Sequence, residues 1–231
     1  MDWLLKLNKE IADIISKRKD MKIYNMHHLL DDNQFYQEET PKERIVLHHT
    51  AGGSARSSIE WWNQKPDRVS TPYLIDRNGD ILETFSPKKW AYALGINSSS
   101  AEKKSIHIEI ANRGWLVEHK GGIYYQVGSK LQRFDGEYVR YKQDHRGHKI
   151  YEKYTKEQVA SVVALIDYLN SEFKLGIPGS QIKEFWHYDF NSKKKIISHT
   201  TLRKDKSDIH PQPDLIQAIY DYAGYKGAVT E

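Results

Sequence analysis

Hydrophobic spacing divides the chain into a series of short elements. Near the start, Trp3, Leu4, Leu7, Ile11, Ile14 and Ile15 recur at helical intervals and predict an amphipathic helix over residues 1–20. A polar connector, 21–42, follows with His27, His28 and the breaker Pro41. The apolar run Ile45-Val46-Leu47 reads as a buried strand over 44–49, and "SARSSIEWWNQK" as a capped short helix turning Ile59 and Trp62 inward. In "PYLIDRNGDILETF" two apolar runs flank Arg77-Asn78-Gly79-Asp80, and Asn-Gly is the strongest short hairpin signal. "KSIHIEIAN" alternates strictly. It puts Ile106, Ile108 and Ile110 on one face and Ser105, His107 and Glu109 on the other.

Residues 115–152 are rich in Tyr, Gly and charge, with alternating pieces such as "GGIYYQVG" and "GEYVRYKQ". They predict a β-rich insertion on the surface that either covers a sheet edge or holds a glycan. "YTKEQVASVVALIDYLNSEF" carries a capping box, Thr155 with Gln158, and a stripe of Val159, Val162, Val163, Ile166, Leu169 and Phe173. Gly176 and Pro178 stop that helix. "KKIISHTTLRKDKSDIHPQPDL" leads a short apolar run into His199 and then a polar loop, and "DLIQAIYDYA" closes as a helix. The sum is an α/β (α+β) chain: a mixed central β-sheet flanked by helices, with an extra N-terminal helix and the β-rich insertion. The division is 1–42, helix and connector, and 43–225, one domain interrupted by 115–152.

Composition narrows the chemistry. A chain of 231 residues buries a full core. It has no cysteine, which rules out disulfides, thiolate ligands and a thiol nucleophile. Any transition-metal site must therefore use His and carboxylate. The net charge of +4 and pI of about 8.9 suit an anionic partner without choosing between a wall polymer and nucleic acid. No run reaches the ~18 apolar residues of a membrane span. Lys6, Asn8, Lys9 and Glu10 break up any secretory apolar core, which leads us to expect a protein located in the cytoplasm of the producing cell.

Three places set polar groups at the ends or open faces of apolar elements: His48-His49, Glu109, and the loop from His199 to Asp208. Catalytic zinc uses three protein ligands and keeps a fourth position open, beside a separate carboxylate to move the proton and a donor for the developing oxyanion. The strand pattern alone leaves His48 and His49 equal candidates.

"IVLHHTAGG", "SIHIEIANRG", the "YTKEQ" helix and "SHTTLRKDKSD" together resemble the zinc-dependent N-acetylmuramoyl-L-alanine amidases of the phage-lysozyme type, which share their fold with peptidoglycan recognition proteins. The resemblance runs from about residue 43 to 220. It implies Zn²⁺ held by His48, His199 and Asp208, Glu109 as the base and Lys206 as the group steadying the tetrahedral intermediate. The tyrosine used in another branch falls here on Thr71. It also implies peptidoglycan as partner, not nucleic acid, and a monomer. The implied reaction is hydrolysis of the bond between N-acetylmuramic acid and L-alanine, as in a phage or prophage endolysin that reaches the wall after release. A cytoplasmic muropeptide-recycling amidase, or a non-catalytic peptidoglycan-binding module on the same fold, are the alternatives.

The chain departs from the family pattern at His107, which replaces a small residue and is free to contact substrate, crowd the groove or bond Glu109. In "WAYALG", where relatives carry a His, this chain has Ala91 and Ala93. Ile209-His210 stand where relatives have Pro-Gly, so the loop is free to take a different shape, with His210 the alternative to Asp208 as a ligand. His107, Trp90 and Trp62 are the substrate-facing candidates. His27, His28, His119, His145, His148 and His187 read as solvated rings.

Overall fold

The alternating strand at 105–110 becomes the middle of a six-stranded mixed sheet in the computed structural model. Residues 21–229 are described except 97 and 179–186, with side chains as far as residue 222. The helix predicted over 1–20 lies outside the described residues. The sheet comprises β1 (Ile23–Asn25), β2 (Arg44–His49), β3 (Tyr73–Ile75), β4 (Ile81–Glu83), β5 (Ser105–Ile110) and β11 (Ile196–Ser198), in the order β1-β4-β3-β5-β2-β11. β3, β5, β2 and β11 run parallel, while β4 returns antiparallel to β3 through the predicted hairpin. β1 is a departure from the sequence reading. Part of the polar connector adds to the sheet as an edge strand parallel to β4, too short at three residues to leave a periodic pattern.

Both faces of the sheet are covered, which is why β2 and β5 are buried along nearly their whole length. On one side Ile45, Leu47, Ile106, Ile108 and Ile110 pack against α3 (Lys156–Glu172) and α5 (Pro213–Val229). α3 opens with the predicted Thr155–Gln158 capping box. Its stripe is wider than predicted, with Ala164 and Leu165 buried beside Val162, Val163, Ile166 and Leu169, because α3 packs on α5 as well as on the sheet. Each such aliphatic side chain contributes roughly 1.5–3 kcal/mol on burial. On the other side α1 (Ala55–Asn63), capped by Ser54, lays Ala55, Ile59 and Trp62 on Leu74, with Leu30, Phe35, Phe85 and Ala91. That cover stops short of the carboxyl ends of the parallel strands, where ligands bind in open α/β sheets.

The insertion is a second sheet, antiparallel throughout, with the order β8-β7-β6-β10-β9. Its strands are β6 (Trp115–His119), β7 (Gly122–Val127), β8 (Lys130–Arg133), β9 (Tyr138–His145) and β10 (His148–Glu152), matching the predicted span. Leu116, Ile150 and Tyr151 are buried in it, and most of β7, β8 and β9 faces solvent. Gly114 joins it to β5 with φ +76°, and a Cβ there would lie 2.8 Å from His49 Nε2.

Candidate metal centre

Strand alternation sends the two adjacent rings to opposite faces of the sheet. Ile45 and Leu47 point to α3 and α5, so Val46 and His48 point the other way, and His49 returns to the helix side. There His49 Nδ1 meets the Tyr154 hydroxyl at 3.0 Å. Parallel pairing sets His48 beside Glu109 and Val46 beside His107. His199 follows directly on β11, as the first residue of the single-turn α4 (His199–Leu202). The chain then loops back to Asp208, whose carbonyl accepts the Thr200 N–H at 2.9 Å.

Three donor atoms converge. His48 Nδ1 and His199 Nδ1 are 3.1 Å apart, and Asp208 Oδ2 lies 3.2 Å from the first and 3.0 Å from the second. All three side chains are buried, and among the described residues they are the one group of His, Asp or Glu placed to hold a metal ion. Donors bound tetrahedrally at zinc–nitrogen lengths of about 2.0–2.1 Å stand about 3.3 Å apart, so the spacing fits. Tautomer chemistry agrees. His199 Nε2 is 2.9 Å from the Leu94 carbonyl, which only accepts, so Nε2 carries the proton and a neutral ring turns a bare Nδ1 to the centre. Burial pushes the His48 imidazole down to about 3, keeping it neutral, the form a metal requires. Burial alone would raise the Asp208 carboxyl, but His199 and His48 beside it hold it well below the usual range.

A groove of about 600 Å³ opens over these atoms, walled by Trp61, Trp62, Arg113 and Trp115 and by the 205–208 loop. Glu109 lines it. Its Oε2 is enclosed with no hydrogen-bond partner among the described residues. Burial, and then the charge of Asp208, push its carboxyl well above the ordinary value, with Lys206 pulling the other way. Lys206 also lines the groove, whereas Lys204 is exposed and rests over the Tyr188 ring at 4.6 Å.

The remaining candidates are spread unevenly. Trp62 forms part of the groove wall although almost fully buried. Trp90 does not reach the groove. It stacks on Tyr36 with centroids 3.9 Å apart and donates Nε1–H to Glu38 at 3.1 Å, because the connector folds over it. His107 is also displaced from a substrate-facing place: it is buried behind His48, with Nδ1 3.0 Å from His48 Nε2. His210 does not compete with Asp208. It stacks on Tyr154 at 4.4 Å and bonds the Tyr141 hydroxyl and the Glu152 carbonyl. Nor are His145 and His148 solvated decoys, since His145 Nε2 donates to the Ser207 carbonyl at 3.2 Å and His148 stacks on Trp115 at 4.3 Å. Sequence reasoning passed over Arg113 and Trp115 in the groove wall and Glu102 behind it: Arg113 lies past the alternating part of "SIHIEIANRG", and the other two sit in no periodic or motif position.

The solved structure of PlyL is 14% identical with a TM-score of 0.51, over 86% of this chain and 97% of that one. The PlyG catalytic domain is 14% identical with a TM-score of 0.52, over 88% and 96%. A mutant endolysin from Bacillus subtilis is 13% identical with a TM-score of 0.51, over 88% and 99%. At such identities these likenesses establish the fold. No curated protein sequence matches. The family profile described as N-acetylmuramoyl-L-alanine amidase matches residues 38–213, from the connector through the last candidate ligand, and the chain therefore belongs to that family.

Proposed function

We propose that this protein is a zinc-dependent peptidoglycan amidase that hydrolyses the amide between N-acetylmuramic acid and L-alanine of the stem peptide. The observation that carries the reading is the convergence of His48 Nδ1, His199 Nδ1 and Asp208 Oδ2 within 3.0–3.2 Å, on the groove face that also holds Glu109. Zinc held by these three would supply Lewis acidity, polarising the amide carbonyl and making water a better nucleophile at neutral pH.

The chain's own residues do the rest. Glu109 takes a proton from the attacking water and returns it to the departing alanine nitrogen, and a carboxyl raised above its ordinary value is a stronger base for the first of these transfers. Lys206 has no hydrogen bond or ion pair among the described residues, which leaves its ammonium free to steady charge on the carbonyl oxygen. Trp61 and Trp62 shape one side of the groove for the glycan–peptide junction and reduce access of bulk water. The setting we propose is that of a phage or prophage endolysin, made in the cytosol and released onto the wall.

Incubating the protein with purified sacculi, with and without a chelator, tests the reading. New N-terminal alanine that disappears on chelation is the expected result. New reducing sugar ends would replace the amidase with a glycosidase, and no product at all would favour a binding module.

A further inference from the structure

A buried polar chain behind the groove is left unused by that mechanism. Glu102, on α2 (Ser99–Lys103), is fully buried. Its Oε1 accepts the Leu94 N–H at 2.9 Å, and both oxygens stand 3.2 Å from the Ala93 N–H. The Leu94 carbonyl in turn accepts His199 Nε2–H at 2.9 Å. Glu102 Oε2 is also 3.2 Å from His107 Nε2, within ion-pair distance although the ring N–H is not aligned on it. His107 Nδ1 then faces His48 Nε2 at 3.0 Å. Two routes thus leave one side chain and end on two different imidazoles, both of which turn their other nitrogen to Asp208.

The direction of the protons follows from the inventory of donors. Glu102 accepts from two backbone N–H groups and sets a carboxylate oxygen, which can only accept, 3.2 Å from His107 Nε2, so that nitrogen carries the proton and a neutral ring offers a bare Nδ1. His48 must then donate from Nε2 and keep Nδ1 bare. Along the other route, the backbone at Ala93 and Leu94 is pinned by Glu102, and its carbonyl enforces the same choice on His199. Partners of this kind fix the tautomer and ring angle of metal-ligating histidines, and losing one typically lowers metal affinity 10–100-fold.

We propose that Glu102 and His107 are positioning residues that orient His48 and His199 as metal ligands, Glu102 acting on both rings at once. This rests on the zinc reading above. Neither residue lines the groove, so neither touches substrate.

The test uses the full chain, stripped of metal and titrated with zinc against a chromophoric chelator, with Co²⁺ absorption as a second readout. Glu102→Gln keeps the shape, yet its amide cannot accept from the backbone pair and His107 together. We expect zinc affinity to fall 10–100-fold and the Co²⁺ spectrum to change. His107→Leu, which removes the acceptor for His48, should fall similarly. His107→Asn, whose Oδ1 replaces Nδ1 as acceptor, should recover most of the loss. A merely structural role would lower apo stability without separating Leu from Asn in metal affinity. Wild-type affinity in both Glu102→Gln and His107→Leu, or equal losses in His107→Leu and His107→Asn, would overturn the proposal. If Glu102→Gln does not fold, the His107 pair decides alone. A wild-type protein that fails to bind zinc sinks the zinc reading itself, a result distinct from unaffected variants.

Discussion

Replacing Glu109 by Gln separates catalysis from stability in opposite directions. The side chain keeps its volume between His48 on β2 and Leu74 on β3, so the metal ligands are not disturbed. What disappears is a group able to take and return a proton. General acid–base catalysis contributes about 10²–10⁴-fold, so kcat should fall by that factor, roughly 2.7–5.4 kcal/mol at 1.36 kcal/mol per decade. KM should stay near the wild-type value, because the loss falls on the transition state.

Stability should move the other way. In the folded protein the Glu109 carboxyl is raised well above 4.5, first by burial and then by Asp208. A carboxyl raised on folding weakens the fold above its unfolded value, and the penalty grows until the pH passes the folded value. At neutral pH the metal-free Glu109→Gln protein should therefore melt higher than metal-free wild type. The difference should shrink as the pH falls towards 4.5. The acid limb of kcat/KM in wild type should lie above the ordinary carboxylate range and vanish in the residual activity of the variant. Sacculus turnover, metal content and melting curves measured on the same preparations check this. Full metal content with near-normal turnover would refute the assignment of the base.

Three further outcomes follow from the geometry. His48→Ala, His199→Ala and Asp208→Ala should each lose bound metal in elemental analysis, whereas His49→Ala, on the helix side of β2, should keep most of it; the reverse ranking would move the site. Lys206→Ala should lower kcat about 10²–10³-fold, the usual effect of losing an oxyanion donor, with metal content intact, while Lys204→Ala over Tyr188 should change little. Gly114→Ala sets a Cβ against His49 Nε2 at positive φ and should cost about 1–3 kcal/mol, a Tm loss of roughly 2–12 °C; an unchanged melting curve would contradict the close approach.

Much of this arrangement was legible in the residues. The alternation of "KSIHIEIAN" placed Glu109 on the face opposite the isoleucines, and the insertion and the α3 cap fell where the pattern put them. His48 against His49 was not legible from periodicity. The choice depends on which face of β2 the long helices cover, and those helices lie more than a hundred residues downstream. Glu102 gave no signal because a five-residue polar helix has no period, and its partners Ala93 and Leu94 offer only backbone. Trp90 was misplaced for a related reason. Its position is set by Tyr36, in a connector that read as lying outside the domain.

The loop after His199 shows how a changed sequence can still turn Asp208 to the groove. Ile209 and His210 stand where the family pattern has Pro-Gly, so the backbone loses the constraint that proline imposes on φ. Here Ile209 is fully buried in the main core, and His210 is stacked and hydrogen-bonded. Two adjacent side chains of the insertion hold the loop by its carbonyls, and one arginine of the loop reaches out to carbonyls elsewhere. Arg146 donates to Thr200 and Lys204, His145 to Ser207, and Arg203 reaches Leu94 and Gly95. Carbonyl contacts fix the backbone without occupying the side chains of Lys206 and Asp208, which remain turned to the groove. Of those clamps, His145 is the last residue of β9 and Arg146 lies in the turn to β10. The insertion is thereby tied to the candidate metal centre: its outer strands face solvent, but its inner end holds the loop that carries Asp208 and Lys206.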